Sequence, residues 1–320
     1  MTAQQLRSAQ TRTQPATLAR SLLTISDLGP IGAQRVVDNA LDAKQHPWSV
    51  ARVLTGQTVA GVFEKPSLRT RVSFEAAVVA LGGHPIVLSN EQVGPGSRED
   101  WLDLGRTLAA YCSVIAARVH DHGVLEQLTA TLKVPIVNLL SDREHPCQAL
   151  ADILTLREWL GPLKGRKLAY VGDGNNVAVS LAVVAAYFGM DVAIASPAGY
   201  ALPSAAVEQV RLHGGRLLLT EDPAAAVHGA DAVYTDVWVS MGDEAEADQR
   251  LEVFDPYRVD GSLMAQAAPG AVFMHCLPAH RGQEVADEVI DGQQSVVWQQ
   301  AENRLHATRA LLADLCGGGA

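Results

Sequence analysis

The stretch "KLAYVGDGNNVAVSLAVVAAYFGMDVAIASP", residues 167–197, decides the fold. It reads strand, glycine-rich turn, helix, strand, which is one βαβ unit. The same alternation runs outward in both directions. Upstream, "TVAGVFEK" (58–65) reads as a strand, and "RVSFEAAVVALGG" (71–83) as a helix stopped by its glycine pair. "HPIVLS", "SVIAARV" and "VPIVNLL" are further strands, with "REDWLDLGRTLAAYC" and "HGVLEQLTATLK" at helical spacing between them. Downstream, "GRLLLT", "DAVYTDVW" and "GAVFMHCLP" are strands, and "SVVWQQAENRLHATRALLADL" is the last helix. In the middle lies "HPCQALADILTLREWLG" (145–161), read as an amphipathic helix with Leu150, Ile153, Leu154 and Leu156 on one face and Pro146 in its first turn. The expected fold is α/β: two doubly wound parallel-sheet domains joined by that long helix. Ligands of such a fold bind in the cleft outside the carboxyl ends of the strands.

The bulk numbers fit a globular protein of about two domains. Apolar residues make up 48% of the 320, charged residues 19%, and the formal net charge is −10. No Lys/Arg run appears, so nucleic acid is not an expected partner. No apolar run reaches the ~18 residues that a bilayer span needs, so neither is a membrane. The first twenty residues lack an apolar core for a secretory signal and read as a polar flexible tail. The cysteines (Cys112, Cys147, Cys276, Cys316) are widely spaced with no C-x-x-C pair, which fits reduced thiols and a cytoplasmic location.

Five loops carry chemistry. "KPSLRTR" (65–71) sits where a strand ends and a helix begins, so unpaired N–H groups and the helix dipole favour an anion there. Ser67, Arg69 and Thr70 add three kinds of donor at one helix start, which puts an anion site ahead of a solvated turn; Lys65 and Arg71 fit the turn. No G-x-x-x-x-G-K-[ST] is present, which argues against a nucleotide. "REHPCQAL" puts His145 and Gln148 at a helix mouth, both facing outward as donors toward a carbonyl oxygen; taken alone, capping and a buried histidine are the better account. "VGDGNNVAVS" lacks the dinucleotide spacing and is a tight turn presenting Asp173, Asn175 and Asn176. "TDVWVSMGDEAE" places Asp236 at a strand end, suited to an ammonium, with Ser240 and Met241 following and an acidic, solvated run (Asp243, Glu244, Glu246, Asp248) after them. "FMHCLPAHRG" sets His275 beside Cys276. Neighbours on a strand point to opposite faces, so His275 is a poor base for that thiol, and the ligand spacing with His280 is not that of a zinc site.

In this order the five stretches resemble the aspartate/ornithine carbamoyltransferase family, over about residues 21–315. "HPCQALAD", "DVWVSMG" and "HCLPAHRG" are similar to its ornithine branch. The resemblance implies a carbamoyl-phosphate domain at 1–148 and an ornithine domain at 149–298, with the helix 299–320 packing back on the first. It implies transfer of the carbamoyl group of carbamoyl phosphate to the δ-amine of L-ornithine, with no cofactor and no metal, in a homotrimer or a multiple of trimers. Carbamoyl-phosphate contacts would fall on Ser67, Leu68, Arg69, Thr70, Arg118, His145, Gln148, Cys276, Leu277 and Arg304. Gln92 would be lent by a neighbouring subunit. Ornithine contacts would fall on Asn176, Asp236, Ser240 and Met241. Arg69, Arg118, His145, Cys276 and Arg304 would carry the catalysis, by direct attack and without a covalent Cys276 intermediate.

Two departures stand out: Leu68 where the commoner phosphate loop has a threonine, and Val179 where His or Asn is frequent. Relatives acting on putrescine or N-acetylornithine, and a non-catalytic binding protein, are the rival readings.

Overall fold

The computed structural model describes residues 21–47, 50–213, 216–240 and 244–317. The N-terminal tail, Met241 and Asp243 lie outside them. The first lobe holds α1 (Gly29–Gln45), β1 (Thr58–Phe63), α2 (Leu68–Ala80), β2 (His84–Ser89), α3 (Asn90–Val93), α4 (Trp101–Tyr111), β3 (Val114–Arg118), α5 (His122–Thr131) and β4 (Ile136–Leu140). Helix α6 (Pro146–Leu160) leads into the second lobe. There follow β5 (Lys167–Val171), α7 (Asn176–Tyr187), β6 (Asp191–Ala195), α8 (Ser204–Leu212), β7 (Leu217–Thr220), α9 (Pro223–Val227) and β8 (Ala232–Thr235). The lobe closes with α10 (Ala247–Phe254), α11 (Gly261–Met264), β9 (Val272–His275) and α12 (Asp287–Ile290). The final helix, α13 (Val297–Gly317), packs on α6, α2 and α1, so the chain's end returns to the first lobe.

Both sheets are parallel, in the orders β2-β1-β3-β4 and β7-β6-β5-β8-β9. Strand order therefore reverses between β1 and β3 in one sheet and between β5 and β8 in the other. Loops diverge at such points and leave a crevice. The open edge of β4 is covered by Leu22, whose N–H donates to Ile136 O (2.9 Å) while its carbonyl accepts from Asn138 N (2.7 Å). One apolar cluster runs continuously from α1 and α2 through α6 to α7, with a separate cluster on the far face of each sheet. The lobes thus share a core beneath the crevice. No helix among the described residues is long and apolar enough to cross a membrane.

The structure corrects two readings. Helix α2 starts at Leu68, not at Arg71, because Ser67 caps it: its hydroxyl accepts from Thr70 N at 3.4 Å. Helix α6 is not amphipathic; every residue from Pro146 to Leu156 is buried. It has α7 and β4 on some sides and α13 and α1 on others, so it has no solvent face in its first three turns.

Candidate active site

The carboxyl ends of both sheets open onto one cavity of about 540 Å³. Ser67, Leu68, Arg69, Thr70, Arg118, His145, Gln148, Asn176, Asp236, Ser240, Cys276, Leu277 and Arg304 all line it. Gln92 does not line this cavity. It is exposed in α3, where its Oε1 accepts from Ser89 N at 2.9 Å. Met241 is outside the described residues.

The first-lobe wall is built from donors. Helix α2 points its first turn at the cavity, and the amides there have no earlier turn to bond to. Leu68 opens the helix at the cavity rim and is 73% exposed, as Val72 and Val79 further along α2 are also exposed. Leu68 belongs to none of the buried clusters, so leucine in place of threonine there leaves the core as it is. Thr70 is buried, and its Oγ1 accepts from Arg304 Nη2 at 3.1 Å. Arg304 Nη1 donates to Gln148 Oε1. Arg118 closes β3, and burial together with the Arg304 and Arg69 charges pushes its guanidinium down to about 10. Burial likewise lowers Arg69 and Arg304.

His145 and Gln148 do not face outward; both are buried at the cavity floor, because α6 is enclosed on all sides. The His145 side chain caps nothing. Burial, then Arg304, Arg118 and Arg69, hold its pKa far below the usual range, so the imidazole is neutral at pH 7. Its Nδ1 is buried and meets no acceptor, and the same is true of Arg304 Nε. Three buried or half-buried guanidinium groups and two unused buried nitrogens concentrated around one cavity are the mark of an anion site.

The second-lobe wall is built from acceptors that already have partners. Gly174 packs so tightly that a Cβ would lie 2.5 Å from Leu202 N, and this fixes the turn before α7. Asn175 caps α7, accepting from Val177 N (3.0 Å) and Ala178 N (3.1 Å), and its Nδ2 donates to Asp236 Oδ2 at 3.0 Å. Asp236 Oδ1 accepts from Val237 N and from the Cys276 thiol, each at 2.8 Å. Asn176 Nδ2 donates to Ser141 O at 2.6 Å. Asp173 pairs with Arg250, whose Nε donates to Trp238 O at 2.7 Å. Glu246 and Asp248, on the acidic run, are exposed as expected.

Burial, then Asp236, drives the Cys276 pKa well above the ordinary thiol value, so it stays protonated and is a poor nucleophile. His275 does not help it. One ring nitrogen, Nδ1, accepts from Leu277 N (2.8 Å), and the other lies 3.2 Å from Glu284. Asp236, His275 and Cys276 bring ligand atoms within 4.8 Å of one another. With both nitrogens of His275 engaged and Asp236 holding three donors, the trio does not fit a metal. Leu277–Pro278 is cis, and Leu277 has φ 59°.

Sequence reading missed Arg250, which lies inside an acidic run with nothing local to mark it. It also missed Asp152 and Gln300, buried polar residues that underlie the cavity.

Residues 20–158 match the carbamoyl-P binding domain of aspartate/ornithine carbamoyltransferases, and residues 164–315 match the Asp/Orn binding domain. An ornithine carbamoyltransferase of Methanoculleus marisnigri is 46% identical over 304 residues, covering 94% of this chain and 98% of the relative. That of Acidothermus cellulolyticus is 48% identical over 311 residues, covering 94% and 99%. Among solved structures, ornithine carbamoyltransferase from Pyrococcus furiosus superposes with a TM-score of 0.89 at 46% identity, covering 94% of this chain and 98% of that one. The Thermus thermophilus enzyme gives 0.86 at 44% identity, covering 93% and 99%. The chain belongs to the aspartate/ornithine carbamoyltransferase family.

Proposed function

We propose that this member of the aspartate/ornithine carbamoyltransferase family is an ornithine carbamoyltransferase, with the two substrates gripped by the two walls described above. The observation that carries the assignment is the convergence of Arg69, Arg118 and Arg304 on the α2 N-terminus, facing Asp236 across one cavity. A dianionic phosphate suits the first wall, since amides, the Ser67 and Thr70 hydroxyls and the Arg69 fork are all donors. The carbamoyl oxygen lies toward His145, Arg118 and Thr70. Gln148, Arg304 and the Cys276–Leu277 turn enclose the carbamoyl group.

Ornithine enters from the second wall. Asp236 takes its α-ammonium, and Asn176 and Ser240 (with Met241) take the α-carboxylate. An N-acetylated amine lacks the charge that Asp236 recognises, and putrescine lacks the carboxylate, so ornithine fits this pair of contacts best. The δ-amine must attack as the free base, although an alkylamine has a pKa near ~10.4. Three guanidinium groups around the reaction centre disfavour an ammonium there and promote the neutral form. Attack on the carbonyl carbon gives a tetrahedral oxyanion. Donors set before the reaction, neutral His145 among them, hold it more tightly than the planar carbonyl. Collapse breaks the C–O bond to phosphate, which leaves with the proton lost by the amine, and citrulline remains.

The same proposal includes a trimer in which Gln92 completes a neighbour's site. An exposed apolar stripe on α2 (Leu68, Val72, Val79) supports such a contact, as does the position of Gln92 away from its own cavity. Four free thiols accord with a cytoplasmic location.

The test is citrulline formation from carbamoyl phosphate with ornithine, putrescine and N-acetylornithine as competing amines. Ornithine is expected to dominate kcat/KM by orders of magnitude. Preference for either competitor would reassign the second wall, and no turnover with any amine would refute the enzyme.

A further inference from the structure

A buried polar chain runs beneath the cavity from one lobe to the other. Asp152 Oδ1 accepts from Gln148 Nε2 at 2.8 Å and from Gln300 Nε2 at 2.7 Å. Its Oδ2 accepts from the Tyr234 hydroxyl at 3.2 Å. Gln300 Oε1 in turn accepts from His275 N at 3.0 Å, the residue before Cys276. On the other side Gln148 Oε1 accepts from Arg304, which also reaches Thr70. Asp152, Gln148, Gln300 and Tyr234 are all 0–1% exposed. The carboxylate touches no part of the cavity itself.

A carboxamide has one donor end and one acceptor end, and neighbours decide which way it points. An ionised carboxylate only accepts and a guanidinium only donates. Held between Asp152 and Arg304, the Gln148 amide therefore has a single orientation, NH2 toward Asp152 and oxygen toward Arg304. One Nε2 hydrogen and one Oε1 lone pair remain for a ligand. We propose that Asp152 is a positioning residue: with Gln300 it sets the orientation of the Gln148 carboxamide, and through it Arg304, for recognition of the carbamoyl group rather than the phosphate. It also ties that setting to the strand end that presents Cys276. Burial pushes its pKa up to about 7, against the donors around it. The single orientation of the Gln148 amide therefore belongs to the ionised carboxylate, at pH above that value.

The inference rests on the carbamoyltransferase reading, and two probes separate the two. Phosphonoacetamide carries both a phosphonate and a carboxamide, and inorganic phosphate carries only the anion. The unmodified protein should bind phosphonoacetamide more tightly by calorimetry. Asp152→Asn removes the charge at nearly constant shape and lets the amide at 148 turn. It should weaken phosphonoacetamide roughly tenfold while phosphate binding stays within about twofold. A purely structural role would move both affinities together, so an unchanged ratio overturns the proposal. If Asp152→Asn does not fold, Tyr234→Phe removes only one donor to Asp152 and should shift the ratio the same way by about threefold; an unchanged ratio there overturns the proposal equally. Should the unmodified protein bind both probes alike and form no citrulline, the enzyme assignment fails instead.

Discussion

The two walls of the cavity solve opposite electrostatic problems. The first lobe gathers Arg69, Arg118 and Arg304, each with its guanidinium destabilised by burial, and leaves His145 Nδ1 buried with no acceptor. The second lobe gathers Asp173 and Asp236, yet each is already compensated, one by Arg250 and the other by Asn175, Val237 and Cys276. One wall carries positive charge that burial disfavours; the charges of the other are already bonded within the lobe. The difference teaches an order of events. Under the proposed assignment of the walls, carbamoyl phosphate would relieve the first and should bind to the empty protein, whereas ornithine would displace existing bonds to Asp236 and gain most once the carbonyl is in place.

The sharpest way to break this contrast is Arg69→Ala. Removing the most accessible guanidinium should lower kcat/KM for carbamoyl phosphate about 10²–10³-fold or more, and calorimetry should show phosphate binding nearly lost. Normal phosphate affinity in that variant would mean that the anion sits elsewhere. Asp236→Asn addresses the opposite wall. It keeps the shape and loses the charge, so KM for ornithine should rise roughly tenfold to a hundredfold while phosphonoacetamide affinity holds. Equal loss of both ligands would erase the division of labour.

The smallest effect concerns the hinge between the walls. Glu144 Oε2 accepts from Ile25 N (2.8 Å) of the first lobe and from Ser180 Oγ (2.9 Å) of the second, and Ser180 Oγ also accepts from His145 N at 2.9 Å. Burial raises the Glu144 pKa from 4.5 to about 7 despite those two bonds. Between these values the native state binds more protons than the unfolded chain, so stability falls as pH rises toward 7. Glu144→Gln removes this titration. Relative to the parent, its unfolding free energy from denaturant titration should improve between pH 6 and pH 8, by a change on the order of 1–3 kcal/mol. A difference that does not vary with pH would show that the carboxylate is ionised throughout.

Much of the fold was legible because its punctuation is local. Ser67 marks a helix start, the Gly82–Gly83 pair a helix end, and "GDGNN" a tight turn, each through contacts within a few residues. The site was legible for a related reason. Parallel α/β sheets put ligands at strand carboxyl ends, so Thr70, Arg118 and Asp236 could be singled out as candidates from their places after strands or at strand ends and from the family resemblance. What misled was solvent. His145 and Gln148 read as an outward-facing helix mouth, and α6 as amphipathic, because neither periodicity nor capping chemistry reports that α13 returns from over a hundred residues away to cover the remaining face. Arg250 was unreadable for the same reason, since its partner Asp173 lies 77 positions back in the chain.

The sequence by itself determined the order of strands and helices, which loops carry donors and which carry acceptors, and the family to which the chain belongs. Only the tertiary structure decided which of those loops face one another, that Leu68 stays largely exposed at the cavity rim, and that Asp152 and Gln300, 148 residues apart, meet beneath it. The physical reason is one of range. Turn chemistry and helix capping act between neighbours in the chain, whereas desolvation, like-charge repulsion and amide orientation exist only after distant segments have closed on one another and excluded water.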